Sequence, residues 1–134
     1  MESRVPIHRT YSDDIFNELL DGVGKKLNIG CGKDYLKGWT NLDKNPDVKP
    51  DVIADLETDL PFEGETFNHV LTSHIFEHVY NLVHLKAEIR RILKPKGTLA
   101  FIVPDYLSPD AWGSDDHVRA FSLHTLIEEN WVGW

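Results

Sequence analysis

The 134-residue sequence has one cysteine, no long apolar run and no excess of positive charge. The single cysteine, Cys31, excludes an internal disulfide and is typical of a reducing compartment. No stretch approaches the roughly 18 consecutive apolar residues that can cross a bilayer, and the first residues lack the apolar core of a secretory signal. We therefore expect a cytoplasmic protein that is not embedded in a membrane.

The charge balance is acidic, with 22 acidic against 14 basic residues and a formal net charge of −8. Such a surface repels a phosphate backbone, so duplex nucleic acid is not expected as a partner. The length predicts one domain over residues 1–134. Within it, residues 1–24 are expected to form an N-terminal helical segment and residues 25–134 the core.

Short apolar runs alternate along the chain with longer helical patterns. The predicted strands are Lys26–Ile29, Thr40–Asp43, Asp51–Ala54, Asn68–Ser73 and Thr98–Val103. The predicted helices run from Ser12 to about Gly22, from His74 to Leu93, and onward from Ser122. Strands that feed helices predict an α/β fold, here a Rossmann-like three-layer sandwich with a mostly parallel sheet.

Two of the predicted connections are short for parallel crossovers. After the Gly30-Cys31-Gly32 segment that ends the first strand, seven residues, 33–39, lead to the second strand, and seven more, 44–50, join the second to the third. A parallel crossover normally takes about a dozen residues or more, usually as a helix. Either the connecting helices are reduced to single turns or one of these strands is misassigned.

Glycines and polar residues stand at the predicted strand ends, where open α/β sheets bind ligands. The first strand runs into Gly30-Cys31-Gly32, whose glycines let a ligand approach the backbone closely. The second ends in Asp43, which can accept both hydroxyls of a ribose. The third ends in Asp55-Leu56, where a carboxylate and an amide can read an adenine edge, and the fourth ends in Ser73-His74. Three of the four ends suit an adenosine.

The spacing argues against a dinucleotide. The NAD fingerprint needs a third glycine, but Tyr35 stands at that position. Its acidic residue follows about 20 residues on, whereas Asp43 follows Gly32 by 11. A ligand with ribose and adenine but no pyrophosphate fits better, and S-adenosylmethionine is such a ligand.

The strand-end residues belong to a series of short motifs between residue 26 and about residue 126. They are Leu27–Gly32, Gly38–Asp43, Ala54–Leu56, Phe67–Val70, His74–His78 and Ile92–Leu99. In this order they resemble class I S-adenosylmethionine-dependent methyltransferases, and within that family small members of the methyltransferase type 11 group. The resemblance implies methyl transfer from S-adenosylmethionine to an acceptor that is either a small molecule or a polymer-linked group.

The resemblance also implies which residues bind the cofactor. Gly30, Cys31 and Gly32 would face its methionine and ribose parts. Asp43 would hold the ribose diol, Asp55 and Leu56 the adenine, and Ser73 with His74 the sulfonium side. Asn28 stands where the family usually carries an acid for the methionine amine, and Asp34 replaces a third glycine. The family's sheet ends in two further strands, so the fold is expected to be truncated relative to seven strands, because the chain stops at Trp134.

The catalytic base and the oligomeric state are less specified. The candidate bases are His74, His78, His117, Asp105 and Tyr106, and a base is needed only if the acceptor must lose a proton. The apolar edge of the last strand and the two tryptophans in residues 130–134 predict a homodimer or a partner chain that completes the site.

Two alternative functions stay open. The first is a non-catalytic domain that binds the cofactor or a partner chain. The second is a zinc hydrolase, because His74-x-x-Glu77-His78 matches an inverted zinc-protease pattern in which two histidines share a helix face. On the leading interpretation, no metal site is expected.

Overall fold

The computed structural model describes residues 24–103, 113 and 115–119. Its strands are β1 (Lys26–Ile29), β2 (Thr40–Asp43), β3 (Val52–Ile53), β4 (Phe67–Ser73) and β5 (Leu93–Ile102). Its helices are α1 (Leu82–Ile92) and two 3-10 helices, Pro46–Val48 and Phe76–His78. The helices predicted before residue 24 and after residue 121, the candidates Asp105 and Tyr106, and residues 130–134 lie outside the described residues. No helix in the described part is long and apolar enough to cross a membrane.

The strands form one parallel sheet in the order β3-β2-β1-β4-β5, which confirms the predicted α/β fold. β1 lies at the centre and pairs with both β2 and β4. Its apolar side chains Leu27 and Ile29 are fully buried. They share one hydrophobic core with the stripe Leu85, Ile89 and Ile92 of α1, whose spacing of three and four residues faces one side of a helix.

The single helix predicted from residue 74 to residue 93 is wrong over its first part. A 3-10 helix covers Phe76–His78, and the chain then leaves helical geometry. α1 begins only after Asn81, whose side-chain oxygen accepts the backbone N–H of His84 at 3.2 Å. This N-cap fixes the start of the helix, and the continuous apolar periodicity of the sequence hid it.

Both short connections are genuine parallel crossovers, and the strands they join are correctly assigned. The β1–β2 connection contains no helix, and the β2–β3 connection contains only the 3-10 turn Pro46–Val48. A buried side chain takes the place of a helix. The Asn41 oxygen accepts the N–H of Leu36 at 2.9 Å, and its Nδ2 donates to the carbonyls of Leu36 and Trp39 at 2.9 and 3.1 Å. The loop's backbone groups are thereby satisfied without helical hydrogen bonds.

Three more side chains complete a cluster that we call the β2 polar network: Asn28, Tyr35, Asn41 and Asp51. The Asn28 amide donates to the Asn41 oxygen at 3.0 Å, and the Asn41 N–H and Nδ2 donate to one Asp51 oxygen at 2.8 and 3.2 Å. The Tyr35 hydroxyl donates to the other Asp51 oxygen at 2.7 Å. This bond from Tyr35, with those from Asn41, holds the pKa of Asp51 below its usual range.

The β3–β4 connection is held by two side chains of α1. Glu88 accepts the N–H of Leu60 at 2.7 Å, and Arg91 donates to the carbonyls of Leu60 and Phe62 at 3.1 and 2.7 Å. Arg91 also donates to Glu88 at 2.7 Å, and this bond lowers the pKa of the Glu88 carboxyl. The connection is therefore fixed against the helix that follows it in the chain.

Candidate functional site

The strand ends meet at a cavity of about 570 Å³ at the carboxyl edge of the sheet. Its lining residues are Gly30, Leu42, Asp43, Lys44, Asp55, Leu56, Glu57, His74, Ile75, His78, Val79, Tyr80 and Asp116. The volume lies within the range of small-molecule sites. The lining holds four carboxylate residues against one lysine, so at neutral pH it favours a ligand that carries positive charge.

The loop after β1 turns back over the end of β2. Gly30 and Gly32 have φ values of 70° and 51°, in the left-handed region that glycine adopts without a steric penalty. The N–H groups of Gly30 and Cys31 both donate to the Leu42 carbonyl, at 2.7 and 3.0 Å. Gly30 lines the cavity, whereas Cys31 is buried and does not line it. Burial, and then the charge of Asp43, raises the pKa of the Cys31 thiol, which keeps it neutral.

Asp43, the last residue of β2, is oriented by backbone donors. One oxygen accepts the N–H of Gly32 at 2.8 Å, and the other accepts the N–H of Asn45 at 2.9 Å. A carboxylate oxygen has two acceptor positions, so both oxygens can accept one further hydrogen bond. The carboxylate therefore has a fixed direction and remaining capacity, which suits recognition of two neighbouring hydroxyl groups.

The segment after β3 forms a turn around Asp55. The Asp55 side chain accepts the N–H of Glu57 at 2.9 Å, and its carbonyl accepts the N–H and hydroxyl of Thr58 at 3.1 and 2.7 Å. This turn places Asp55 and Leu56 side by side in the cavity wall. A carboxylate and an apolar side chain at one position can contact the edge and the face of a planar ring.

Glu57 joins the two rims of the cavity. Its two carboxylate oxygens accept the N–H groups of Tyr80 and Asn81, each at 2.9 Å. The loop after β3 is thus tied to the segment before α1. Sequence reasoning missed this link, because the partners are 23 and 24 residues away and backbone N–H groups leave no mark in a sequence.

The histidines stand at the end of β4. His74 has a φ of 55°, and its N–H donates to the Ile102 carbonyl at 2.8 Å. A non-glycine residue in this conformation costs on the order of 1 kcal/mol, and of the four such residues in the described part of the chain His74 is the one that lines the cavity. His74 Nδ1 lies 3.5 Å from a carboxylate oxygen of Glu77. The ring of His78 lies 4.6 Å from the ring of His117, measured between centroids.

The structure brings only part of the predicted set together. The predicted residues that line the cavity are Gly30, Asp43, Asp55, Leu56, His74 and His78, and those that do not are Asn28, Cys31, Gly32, Ser73 and His117. Asn28 is buried in the β2 polar network, where its amide also donates to the Asp34 carbonyl at 3.0 Å. Lining residues that sequence reasoning missed include Lys44, Ile75 and Asp116. Lys44 directly follows a predicted strand end, so its position was a usable signal.

Comparison with known protein families gives a match to the central region of the chain. A family model described as a methyltransferase domain matches residues 32–101, just over half of the chain. An uncharacterised protein of the archaeon Methanocaldococcus jannaschii is 40% identical over 89 residues, which is 58% of this chain and 39% of the relative. The chain thus spans about two fifths of the length of the curated relative it matches.

Solved structures with the same fold include two of particular interest. The first is the complex of the Haloferax volcanii Trm112 methyltransferase activator with its methyltransferase partner, at a TM-score of 0.65 and 23% identity, covering 87% of this chain and 65% of that one. The second is an S-adenosylmethionine-dependent methyltransferase from Aquifex aeolicus, at a TM-score of 0.64 and 15% identity, covering 88% and 77%. At these identities the likeness establishes the fold.

Proposed function

The chain belongs to the class I S-adenosylmethionine-dependent methyltransferase family, and from this premise we propose that it binds S-adenosylmethionine in the cavity and transfers the methyl group to an acceptor. One observation carries the proposal. Gly30, Asp43 and the pair Asp55-Leu56, from three neighbouring strand ends, line the same 570 Å³ cavity. Ligand recognition at the carboxyl ends of such strands is the rule for open parallel sheets.

The residues present fit the cofactor. When bound, S-adenosylmethionine supplies a methyl group that its sulfonium cation has already activated. The acidic lining suits that cation, and the two backbone-oriented oxygens of Asp43 suit a ribose diol. In this proposal Asp55 and Leu56 contact the adenine, and Ser73 and His74 lie on the sulfonium side. Gly30 faces the methionine and ribose in this proposal. Cys31 and Asn28 are buried outside the cavity lining, so neither side chain is assigned a contact with the cofactor.

For methyl transfer, the main task of the chain is to position the acceptor relative to the methyl group. Holding an acceptor in line with an activated methyl group accelerates transfer mainly through proximity and orientation. His74 and His78 line the cavity and are the candidates to take a proton from an acceptor that must lose one. His117 does not line the cavity but contacts the ring of His78, and in this proposal it acts through that contact. The acceptor class remains a small molecule or a polymer-linked nucleophile.

A second candidate is a domain that binds the cofactor and acts only with a partner chain. The Haloferax volcanii relative, solved in complex with an activator protein, favours it. A homodimer is the other form of this candidate. Methyl transfer from radiolabelled cofactor to a cell extract, with this chain as the added protein, separates the enzyme from the domain that only binds. Label incorporation supports the enzyme, and cofactor binding without incorporation supports the binding domain.

Removing the Asp43 carboxylate tests the site directly. We expect Asp43→Ala to weaken binding of S-adenosylhomocysteine by about tenfold or more, because a charge-assisted hydrogen bond contributes roughly 1.5–3 kcal/mol. Isothermal titration calorimetry measures the affinity. The matched control is Asp47→Ala, which removes the same charge from an exposed turn outside the cavity.

A fold check accompanies this experiment, because Asp43 also accepts two backbone N–H groups. Asp43→Asn keeps the side-chain shape and one acceptor oxygen, so it retains one of the two backbone hydrogen bonds and should disturb the loop less than Asp43→Ala, while still binding more weakly than the native chain. Equal affinities for the native chain, Asp43→Asn and Asp43→Ala would contradict the assignment of Asp43 to the cofactor.

A further inference from the structure

The Glu77 carboxylate is the most unusual polar group in the described residues. Its side chain is 1% exposed, and neither of its oxygens has a hydrogen-bond partner. His74 Nδ1, on a side chain that is 61% exposed, lies 3.5 Å from one of these oxygens. A buried carboxylate without donors is strongly unfavourable, so buried charges are normally paired or bound to a metal ion.

Two histidines stand beside this carboxylate. One ligand atom from each of Glu77, His78 and His117 lies within 4.8 Å of the other two. Ligands about 2.0–2.2 Å from a zinc ion are at most about 4 Å apart, so the group closes on an ion with less than about 1 Å of side-chain movement. We propose that Glu77, His78 and His117 bind a divalent transition-metal ion at the end of the cavity.

The surroundings of His78 are those of a metal-bound histidine. Its Nδ1 lies 3.2 Å from both the backbone carbonyl and a side-chain oxygen of Asp116. When Nδ1–H donates to such oxygens, the lone pair is on Nε2, which then serves as the ligand. Metal-binding histidines commonly have a carboxylate or carbonyl on the second nitrogen, which fixes the ring and the tautomer.

The backbone holds the two halves of the group together. The Val118 N–H donates to the Glu77 carbonyl at 2.8 Å, and Arg119 donates to the carbonyls of Val79 and Tyr80 at 2.7 and 2.8 Å. The segment that carries His117 is therefore fixed against the 3-10 helix that carries Glu77 and His78. A ligand set preorganised in this way binds a metal with a smaller ordering cost.

The ligand types select the metal. Imidazole nitrogens favour zinc and its neighbours over magnesium and calcium, which prefer oxygen. A second cluster, Asp59, His84 and Glu88, has a similar spacing. Its groups are already used: the Glu88 oxygens accept Leu60 and Arg91 donors, and His84 Nε2 lies 3.0 Å from Asp59. Of the two clusters, the one formed by Glu77, His78 and His117 contains a carboxylate whose oxygens accept no hydrogen bond.

The position of the ion suggests its use. Three protein ligands leave a fourth position open in tetrahedral geometry, and His78 and Asp116 line the cavity. The open position would bind an oxygen or nitrogen atom of the acceptor, and this last step rests on the proposed methyl transfer. Because the ion and Asp116 then occupy both nitrogens of His78, His74 is the remaining candidate base in the cavity lining. The metal pattern differs from the one in the sequence, because His117 joins the group and His74 lies outside it.

Zinc titration of the full chain, stripped of metal by a chelator, tests the proposal. We expect saturable binding of about one equivalent of zinc. Cobalt(II) bound in its place should give the visible absorption bands of a tetrahedral site. Glu77→Gln, which keeps the shape of the side chain, and His117→Ala should each weaken zinc binding by about tenfold or more. The matched control His84→Ala should bind zinc like the native chain.

The outcomes are distinct from those of the cofactor experiment. Zinc binding that survives Glu77→Gln, that is lost in His84→Ala, or that never saturates would overturn the metal site. Circular dichroism confirms that each variant is folded. S-adenosylhomocysteine titration of the same samples reports the proposed cofactor site independently, so either proposal can fail while the other stands.

Discussion

The two halves of the sheet make their parallel crossovers by different means. Between β4 and β5 the chain uses α1, whose backbone N–H and C=O groups hydrogen-bond within the helix. Because they need no partner from the core, α1 can bury apolar side chains such as Leu85 and Ile89. Between β1 and β2 the chain uses a loop, whose backbone groups bond to the buried side chain of Asn41. A crossover without a helix thus requires a polar network inside the protein, with each group matched to a partner.

The polar groups in the two halves are used differently. In the β2 polar network, Asn28, Asn41 and Asp51 donate to or accept from one another and the loop. On the β4 side, the buried atoms without a hydrogen-bond partner include the Glu77 carboxylate, the Thr72 hydroxyl and Arg119 Nε. A fully matched network stabilises a fold, whereas a buried polar group without a partner is unfavourable. Three further predictions test this contrast.

Breaking the matched network should have the largest effect. Asn41→Ala removes the partner of the Asn28 amide and of backbone groups at Leu36 and Trp39. Each buried group left without a partner costs about 1–3 kcal/mol, so we expect the free energy of unfolding to fall by about 3 kcal/mol or more. Urea denaturation measures it. Asn45→Ala, at an exposed cap, is the control, and a similar loss there would remove the special role of Asn41.

On the β4 side, the buried amine of Lys86 should give a smaller, pH-dependent effect. Burial, followed by the charges of Arg90 and Arg119, lowers its pKa from 10.5 to about 8. The unfolded chain then binds more protons between those values, so this group's contribution to stability rises with pH from about 8 to 10.5. Below pH 8 the charged amine is protonated in both states, and its burial is unfavourable.

Lys86→Met removes this titration. We expect the variant to be more stable than the native chain at pH 7, by an amount on the order of 2 kcal/mol, and the advantage to shrink as pH rises through that window. Chemical denaturation at a series of pH values measures the difference. Lys37→Met, at an exposed position that does not contribute to the pKa of Lys86, serves as the charge-matched control. A difference that does not change with pH would contradict the lowered pKa.

The smallest effect should come from the exposed end of the β2 polar network. The Tyr35 hydroxyl donates to Asp51 and is the largest cause of the lowered pKa of that carboxyl. Tyr35→Phe should therefore raise the pKa of Asp51 toward its ordinary value. Because the folded pKa lies below the unfolded one, Asp51 stabilises the fold above pH 3.8 and loses this effect as pH falls through its folded pKa.

NMR titration of the Asp51 carboxyl measures the change. Tyr80→Phe, which alters an exposed tyrosine away from Asp51, is the control and should leave the titration unchanged. An unchanged midpoint in Tyr35→Phe would mean that the donors from Asn41 set the pKa by themselves.

The sequence predicted the strands better than the helices. The bounds of β1 and β2 agree with the prediction, because short apolar runs ending in Gly30 and Asp43 have clear limits. The helix after β4 was predicted too long, because the 3-10 turn at residues 76–78 and the cap at Asn81 interrupt a continuous apolar pattern. For the short crossovers the sequence left two alternatives, helices reduced to single turns or a misassigned strand. The strands are correct; β2–β3 contains one 3-10 turn, and β1–β2 contains no helix.

By itself, the sequence determined the family, the parallel sheet and the strand-end residues Gly30, Asp43 and Asp55, because these depend on local periodicity and on order along the chain. Only the tertiary structure decided that Asn28 joins Asn41 rather than the cavity wall, and that His117 meets Glu77. These contacts join segments 13 and about 40 residues apart. Their energies arise from burial and from matched or unmatched hydrogen bonds, and neither exists until the chain has folded.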